Sequence, residues 1–186
     1  MPNPNRVAVL VGSLRQESFS RKLALALAKI APPSLKLEIV EIGSLPHYNQ
    51  DLDPDRPPAP WVEFRQRIAA ADALLFVTPE YNRSVPGVLK NAIDVGSRPY
   101  GKSVWSGKPG GVISNSPGVI GGFGANHHLR QSLVFLDVPV LQQPEAYVGN
   151  IDKVLGPDGT IAEGSRKFFD TYLGKFEQWV TRNAAR

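Results

Sequence analysis

Short apolar runs alternate with amphipathic segments along the 186 residues of this chain, and no other feature restricts the fold as much. Runs of continuous or alternating hydrophobicity predict β-strands at residues 7–11, 35–42, 73–78, 110–114 and 138–141. Apolar residues at helical spacing predict helices at residues 21–31, 61–71, 88–95, 125–136 and 166–182. Strands that alternate with helices of about 10–15 residues predict right-handed crossovers and a parallel sheet.

Five strands in a chain of this length predict an α/β fold of the flavodoxin-like kind. That fold is a doubly wound five-stranded parallel sheet with helices on both faces. Residues 43–60 contain five prolines, which predict an extended surface connection rather than a helix or a strand. Neither side of this connection is long enough for a second domain, so we expect residues 1–186 to form a single domain.

The composition removes several kinds of chemistry. The chain has no cysteine, which excludes disulfides, thiolate nucleophiles, Cys-ligated zinc and iron–sulfur clusters. A chain of this composition that transfers electrons therefore needs an organic cofactor. The net charge of +4 is spread along the sequence without a basic block interleaved with aromatic residues, so no nucleic-acid partner is predicted. No stretch approaches the roughly 18 apolar residues of a membrane span, and no signal-peptide pattern is present, so we expect a cytoplasmic protein.

The loop after the first predicted strand carries the features of a phosphate site. Doubly wound sheets bind ligands outside the carboxyl ends of their strands, where the strand order reverses. Here Gly12 leads into a helix whose N-terminus offers free N–H groups and a partial positive charge. Ser13, Ser18 and Ser20 add hydroxyl groups, and Arg15 adds a guanidinium. The alternative is that Ser18 or Ser20 only caps the helix and Arg15 is a surface residue.

Other phosphate-binding motifs do not fit. The first loop lacks the G-x-G-x-x-G pattern of dinucleotide-binding folds, and it lacks the acidic residues of a receiver domain. Residues 96–103 match the Walker A pattern letter for letter. However, a predicted helix precedes them and a segment rich in glycine and proline follows, whereas a P-loop needs a strand before it and a helix after it.

The loop after the third predicted strand has groups suited to a planar heterocycle. Pro79 and Pro86 stiffen its two ends, and Tyr81 offers an aromatic face. The backbone N–H and C=O groups between the prolines can form hydrogen bonds with a ring edge that carries alternating donors and acceptors. Taken alone, this is a polar turn that enters a helix. Beside a phosphate loop on the neighbouring strand, it predicts a phosphate-bearing flavin lying across the switch point.

These two loops, at residues 12–20 and 78–94, together resemble the NAD(P)H-dependent FMN reductase family. Within it, the sequence is most similar to the bacterial quinone reductases also described as chromate reductases, and residues 121–145 extend the similarity. The resemblance covers residues 6–150 and implies a flavodoxin-like fold that holds FMN noncovalently. It also implies hydride transfer from NAD(P)H through FMN to quinones, with chromate, ferric complexes or free flavin as further acceptors.

The resemblance assigns roles to individual residues. Residues matching the phosphate ligands are Ser13, Arg15, Ser18 and Ser20. Residues matching those that line the isoalloxazine, largely through backbone, are Pro79, Glu80, Tyr81 and Asn82, with Arg83 nearby and Ser114 on the other side of the pocket. No catalytic side chain is assigned; Tyr81 is a candidate, with positioning as its alternative role. The family also implies homodimers, often dimers of dimers, with the flavin near the subunit interface.

Adjacent histidines invite a metal-site interpretation. Neighbouring residues on a helix point about 100° apart, so His127 and His128 cannot readily share one metal ion. We expect them at the surface or at a subunit interface.

Two rival functions remain open at this stage. A flavodoxin-type electron carrier would share the fold, but such carriers tend to be acidic, whereas this chain has a net charge of +4. An interaction protein that has lost its flavin is the other alternative.

Overall fold

Within the residues that the structure describes, five parallel strands form a sheet in the order β2-β1-β3-β4-β5. The computed structural model describes residues 3–53, 56–156 and 158–184. The strands are β1 (Asn5–Val11), β2 (Leu35–Ile39), β3 (Ala73–Thr78), β4 (Gly110–Asn115) and β5 (Ala146–Val148). All four neighbouring pairs are parallel, which confirms the predicted flavodoxin-like fold class.

Helices cover both faces of the sheet. They are α1 (Phe19–Ile30), α2 (Ala59–Ala69), α3 (Gly87–Gly96), α4 (Phe123–Phe135), the short α5 (Ile151–Val154) and α6 (Glu163–Asn183). Side chains alternate between the two faces of a strand, so β1 contributes to two separate cores. Val7, Val9 and Val11 pack into a core that includes residues of α1 and α6, whereas Ala8 and Leu10 pack into a core that includes residues of α2, α3 and α4.

The position of the fifth strand differs from the sequence prediction. Residues 138–141 were expected to form it, but there the structure has one isolated β-bridge, between Val140 and Gly110 of β4. The strand that pairs with the end of β4 is Ala146–Val148 instead. Pro139 and Pro144 lack the N–H group that a sheet ladder requires, so the edge next to β4 is interrupted between its two parts.

Element boundaries also shift. β2 ends at Ile39 rather than at residue 42, and the connection over residues 43–60 contains a 3₁₀ turn at Gln50–Leu52. α2 begins at Ala59 because Pro60, in its first turn, needs no helical N–H partner. The short helix α5 was not predicted.

The segment that matches the Walker A pattern starts at the last residue of α3, so a helix does precede it. Its first glycine, Gly96, has a packing function. A Cβ atom at Gly96 would lie 2.5 Å from the Trp105 ring, which is fully buried and donates from Nε1 to the Ile93 carbonyl at 2.9 Å. Across the described residues, no helix is long and apolar enough to cross a membrane.

Candidate active site

The two loops predicted from sequence leave the sheet side by side. β1 ends at Val11 and β3 ends at Thr78, and these neighbouring strands lie where the strand order reverses. Gly12 donates its N–H to the Val77 carbonyl at 2.9 Å. A Cβ atom at Gly12 would lie only 2.5 Å from the Thr78 Oγ1, so the close approach of the two loops requires glycine at this position.

Ser18 and Ser20 hold the start of α1 in place. Ser18 is buried and is the N-cap of α1, where its Oγ accepts from the N–H of Arg21 at 3.1 Å. This is the capping alternative considered from the sequence. Because the Ser18 oxygen acts there as an acceptor, its hydroxyl hydrogen is not used in that bond. Ser20 is also buried, and its Oγ donates to the Oδ1 of Asn115 at 3.1 Å.

Asn115 is a residue of this edge that sequence reasoning missed. It is buried at the end of β4, where its Nδ2 donates to the Thr78 carbonyl at 3.2 Å while its Oδ1 accepts from Ser20. One side chain therefore links the ends of β3 and β4 to the beginning of α1. The available signal was a second polar residue directly after Ser114 at the end of a buried strand, one position beyond the predicted end at residue 114.

The rest of the first loop faces solvent. Ser13 is half-buried and Arg15 is exposed. Their only mutual contact is long, 3.5 Å from the Arg15 N–H to the Ser13 Oγ. Glu17 forms an ion pair with Lys22, and this hydrogen bond lowers the pKa of the Glu17 carboxyl. Since Lys22 balances Glu17, the guanidinium of Arg15 leaves a positive charge on this loop.

The second loop contains a tight reversal of the chain. Tyr81 donates its N–H to the Ser84 carbonyl at 3.1 Å, and Ser84 donates back to the Tyr81 carbonyl at 2.9 Å. Asn82 and Arg83 between them have φ values of 50° and 62°. Two central residues with positive φ define a type I′ turn. We call residues 81–84 the I′ turn. Tyr81, the first residue of this turn, is 56% exposed.

Glu80 connects this turn to α4. Its carboxylate is largely buried, and its Oε2 accepts from the N–H of Ala125 at 3.0 Å. Its Oε1 accepts from the Nη1 of Arg83 at 3.2 Å. Both carboxylate oxygens of Glu80 therefore accept hydrogen bonds from other groups of the protein.

Ser114 is buried at the end of β4, and its hydroxyl also has protein partners. The Oγ accepts from the Nδ2 of Asn126 at 3.2 Å and donates to the Ala146 carbonyl at 3.4 Å. These bonds join β4 to α4 and β5. The predicted role of Ser114 as a wall of the flavin pocket stays a prediction.

The two histidines on α4 point to different neighbours. The Nε2 of His127 lies 2.9 Å from the hydroxyl of Tyr147 on β5, and the Nδ1 of His128 lies 3.0 Å from the Oγ of Ser84 in the I′ turn. Burial, followed by a hydrogen bond to the Glu145 carboxylate, raises the pKa of Tyr147 to about 12. The Tyr147 hydroxyl is therefore protonated at neutral pH.

Comparison with known proteins identifies the family. A family model described as NADPH-dependent FMN reductase matches residues 5–153. The chain belongs to this family. FMN and NAD(P)H are therefore the cofactor and co-substrate of this FMN reductase, as predicted.

Relatives of this FMN reductase span nearly its whole length. A quinone reductase of Pseudomonas putida is 59% identical over 179 residues, which cover 96% of each chain. A 2-hydroxy-1,4-benzoquinone reductase of a Burkholderia species is 49% identical and covers 94% of this chain and 96% of its own. The solved structure of FerB, a flavoenzyme NAD(P)H:(acceptor) oxidoreductase from Paracoccus denitrificans, matches with a TM-score of 0.92 at 41% identity. That match covers 97% of this chain and 100% of FerB.

Eight of the ten residues assigned to FMN lie in the two adjacent loops, Ser20 lies in the first turn of α1, and Ser114 lies at the end of β4. Those with exposed side chains are Arg15, Tyr81, Asn82 and Arg83. Those whose side chains form short hydrogen bonds within the protein are Ser18, Ser20, Glu80, Arg83 and Ser114. The contact of each of these residues with FMN stays a prediction.

Proposed function

We propose that this FMN reductase catalyses the two-electron reduction of quinones by NAD(P)H, with FMN bound across the ends of β1 and β3. The observation that carries the proposal is the close approach of the Gly12 loop and the Thr78 loop at the switch point of the sheet. The quinone and benzoquinone reductases that are 59% and 49% identical support the substrate class.

The residues at this edge fit FMN. The free N–H groups at the start of α1, the hydroxyl of Ser13 and the guanidinium of Arg15 suit a phosphate dianion. Gly12 has no Cβ, which lets the first loop pack directly against Thr78 and Pro79 of the second loop. The I′ turn presents the backbone around Asn82, and Tyr81 adds an exposed aromatic face for a planar ring.

Bound FMN supplies the redox chemistry, so the protein is required mainly for binding and orientation. The start of α1 and Arg15 hold the phosphate end. Pro79 and the I′ turn orient the ring, and Tyr81 stays a candidate for a catalytic contribution. Reduction of chromate, ferric complexes and free flavin stays a prediction, as does the cytoplasmic location.

We also propose that the protein is a homodimer or a dimer of dimers. Val134 and Phe135 on α4 are 76% and 77% exposed, and Tyr100, which follows α3, is 84% exposed. Two surface cavities, of about 580 and 460 Å³, are lined by residues outside the two predicted loops. A second copy packed on the α3–α4 side would bury the exposed side chains of Tyr100, Val134 and Phe135. The absence of nucleic-acid and membrane partners stays a prediction.

The visible spectrum of the purified protein tests the redox function. After incubation with FMN and desalting, we expect flavin absorption that corresponds to about one bound FMN per protein chain. Under anaerobic conditions, NADH or NADPH should bleach this absorption and benzoquinone should restore it. A flavodoxin-type carrier would take up FMN but consume almost no NAD(P)H with excess quinone. A protein that stays colourless after FMN is added would contradict the proposal altogether.

A further inference from the structure

The I′ turn and Glu80, the residue before it, contact α4 at three points. The Glu80 carboxylate accepts from the Ala125 N–H at 3.0 Å, and the Ser84 Oγ lies 3.0 Å from the His128 Nδ1. Between these two bonds the backbones nearly touch, since a Cβ atom at Gly124 would lie 2.6 Å from the Arg83 carbonyl oxygen. Glu80, Gly124 and His128 therefore connect the turn to the first two turns of α4.

Glu80 provides a cap that α4 lacks locally. The N-cap residue of α4 is Gly122, at a φ of 75°, and it makes no side-chain cap hydrogen bond. A helix N-terminus leaves backbone N–H groups without partners and carries a partial positive charge. The carboxylate of Glu80, whose side chain is only 12% exposed, reaches it from a different part of the chain. The cap of α4 and the position of the turn thus depend on the same side chain.

The turn requires external support because its conformation is unfavourable. Asn82 and Arg83 both occupy the left-handed region without being glycine. Non-glycine residues adopt this region at a cost and keep it only where surrounding structure holds them there. The contacts from α4 are the surrounding structure in this case.

We propose that Glu80 and His128 are positioning residues, which hold the I′ turn against α4 in the conformation that receives the flavin ring. This inference rests on the proposed placement of FMN between the two loops. His128 has no role in the residue assignments that the sequence motifs carry, and Glu80 would act through its bond to α4 rather than by touching the flavin.

The main experiment measures FMN affinity, by flavin fluorescence, in variants of the whole protein. Glu80→Ala should weaken FMN binding about ten-fold, which corresponds to one charge-assisted hydrogen bond. Glu80→Gln keeps an oxygen that can accept from the Ala125 N–H, so it should lose less FMN affinity than Glu80→Ala does. Glu163→Gln is the matched control, because Glu163 also lies in the first turn of a helix, α6, and should leave FMN affinity unchanged.

A double-mutant cycle tests the second contact. Ser84→Ala and His128→Ala should each weaken FMN binding several-fold, and the double variant should be no weaker than the worse single variant. In His128→Asn the side-chain amide can occupy the place of Nδ1, so this variant should keep most of the FMN affinity that His128→Ala loses. Gln131→Ala, one turn further along α4, is the control. Additive losses would show that the two residues act independently, which overturns the proposal.

Two further measurements separate positioning from general destabilisation. The midpoint potential of bound FMN should shift in Glu80→Gln and His128→Ala, whereas a purely structural role would change only the melting temperature of the apoprotein. In steady-state assays of FMN-saturated variants, kcat should fall more than the KM for quinone rises. An unchanged potential and unchanged kcat in both variants would contradict the proposal.

The Arg15→Ala variant distinguishes a failure of the positioning proposal from a failure of the proposed FMN site. If Arg15→Ala weakens FMN binding and the Glu80 and His128 variants do not, the positioning proposal fails and the FMN site stands. If all three leave FMN affinity unchanged, the placement of FMN itself is wrong. Should Glu80→Ala not fold, the Ser84 and His128 cycle decides the question.

Discussion

Five of the side chains that the sequence motifs assign to FMN already have short hydrogen bonds within the protein. They are Ser18, Ser20, Glu80, Arg83 and Ser114. At the scale of single residues, these groups shape the backbone around the site, and few of them are free to act as ligands. Arg15 is the clearest exception, because its side chain is exposed beside the start of α1.

Replacing Arg15 by alanine should weaken FMN binding. A hydrogen bond to a charged group is worth about 1.5–3 kcal/mol, which corresponds to roughly a ten- to hundred-fold rise in the Kd. Exposure to solvent places the expected change at the lower end of this range. Titration of the apoprotein with FMN, followed by fluorescence, measures the effect.

The control for this prediction is Arg166→Ala, which removes an exposed guanidinium from α6. It should leave the FMN affinity as it is in the parent protein. Equal Kd values for the Arg15 and Arg166 variants would mean that Arg15 does not contact the phosphate.

The sequence indicated which segments form the site but not how they are held. Gly12, three serines and Arg15 at a strand–helix junction predicted the phosphate loop from local chemistry. The bond from Ser20 to Asn115 spans 95 positions, and the bond from Ser84 to His128 spans 44. Such contacts depend on how distant elements pack, and a local pattern carries no signal for them.

At the scale of elements, buried strands were easier to predict than the sheet edge and the turn. β1, β3 and β4 are continuous apolar runs and form close to where hydrophobicity indicated. β5 was misplaced because Val138–Leu141 is apolar but has Pro139 within it. A polar turn was considered for this loop, but its I′ type was not predicted, because the usual signal is Asn-Gly and this chain has Asn82-Arg83.

The contact between α3 and Trp105 leads to a stability prediction. Gly96→Ala should destabilise the protein by about 1–3 kcal/mol, because the added methyl would lie 2.5 Å from a fully buried indole. Urea denaturation of the apoprotein measures the free energy of unfolding.

Gly174→Ala is the matched control, since no atom lies within 4 Å of a Cβ at this position in α6. It should be neutral or stabilise by up to about 1 kcal/mol, because alanine favours helix more than glycine does. If both variants lose the same stability, clearance for Trp105 is not the reason for glycine at position 96.

At the scale of the whole molecule, the two faces of the sheet differ. The layer of α1 and α6 buries one core against the sheet. The layer of α2, α3 and α4 buries the other core against the opposite face. Exposed apolar side chains occur on both, but the largest exposures in helices are those of Val134 and Phe135 on α4. The same helix holds the I′ turn through Ala125 and His128. Val134 and Phe135 lie at the C-terminal end of α4, whereas Ala125 and His128 lie in its first two turns, so an interface around Phe135 would lie roughly 10 Å along the helix from the nearer contact of the I′ turn.

A charge on this helix should disrupt self-association. Phe135→Glu would place a carboxylate in the proposed interface, and we expect the dissociation constant of the oligomer to rise at least ten-fold, as for loss of a buried aromatic anchor. Sedimentation velocity over a range of protein concentrations measures the change.

Leu25→Glu on α1, which is 50% exposed on the other layer, is the control and should leave the oligomer unchanged. A wild-type protein that sediments as a monomer would contradict the proposed assembly. An unchanged oligomer in Phe135→Glu would show that the interface lies elsewhere.

The left-handed backbone at Arg83 has a consequence for protein engineering. Glycine adopts this conformation without steric cost, so Arg83→Gly should raise the thermal stability of the apoprotein. The ion pair that it removes is solvent-exposed at its Arg83 end, and the Glu80 carboxylate keeps its hydrogen bond from the Ala125 N–H. Glycine would also let the turn sample other shapes before FMN arrives. Selection of variant libraries for heat resistance and selection for turnover should therefore favour different residues at position 83.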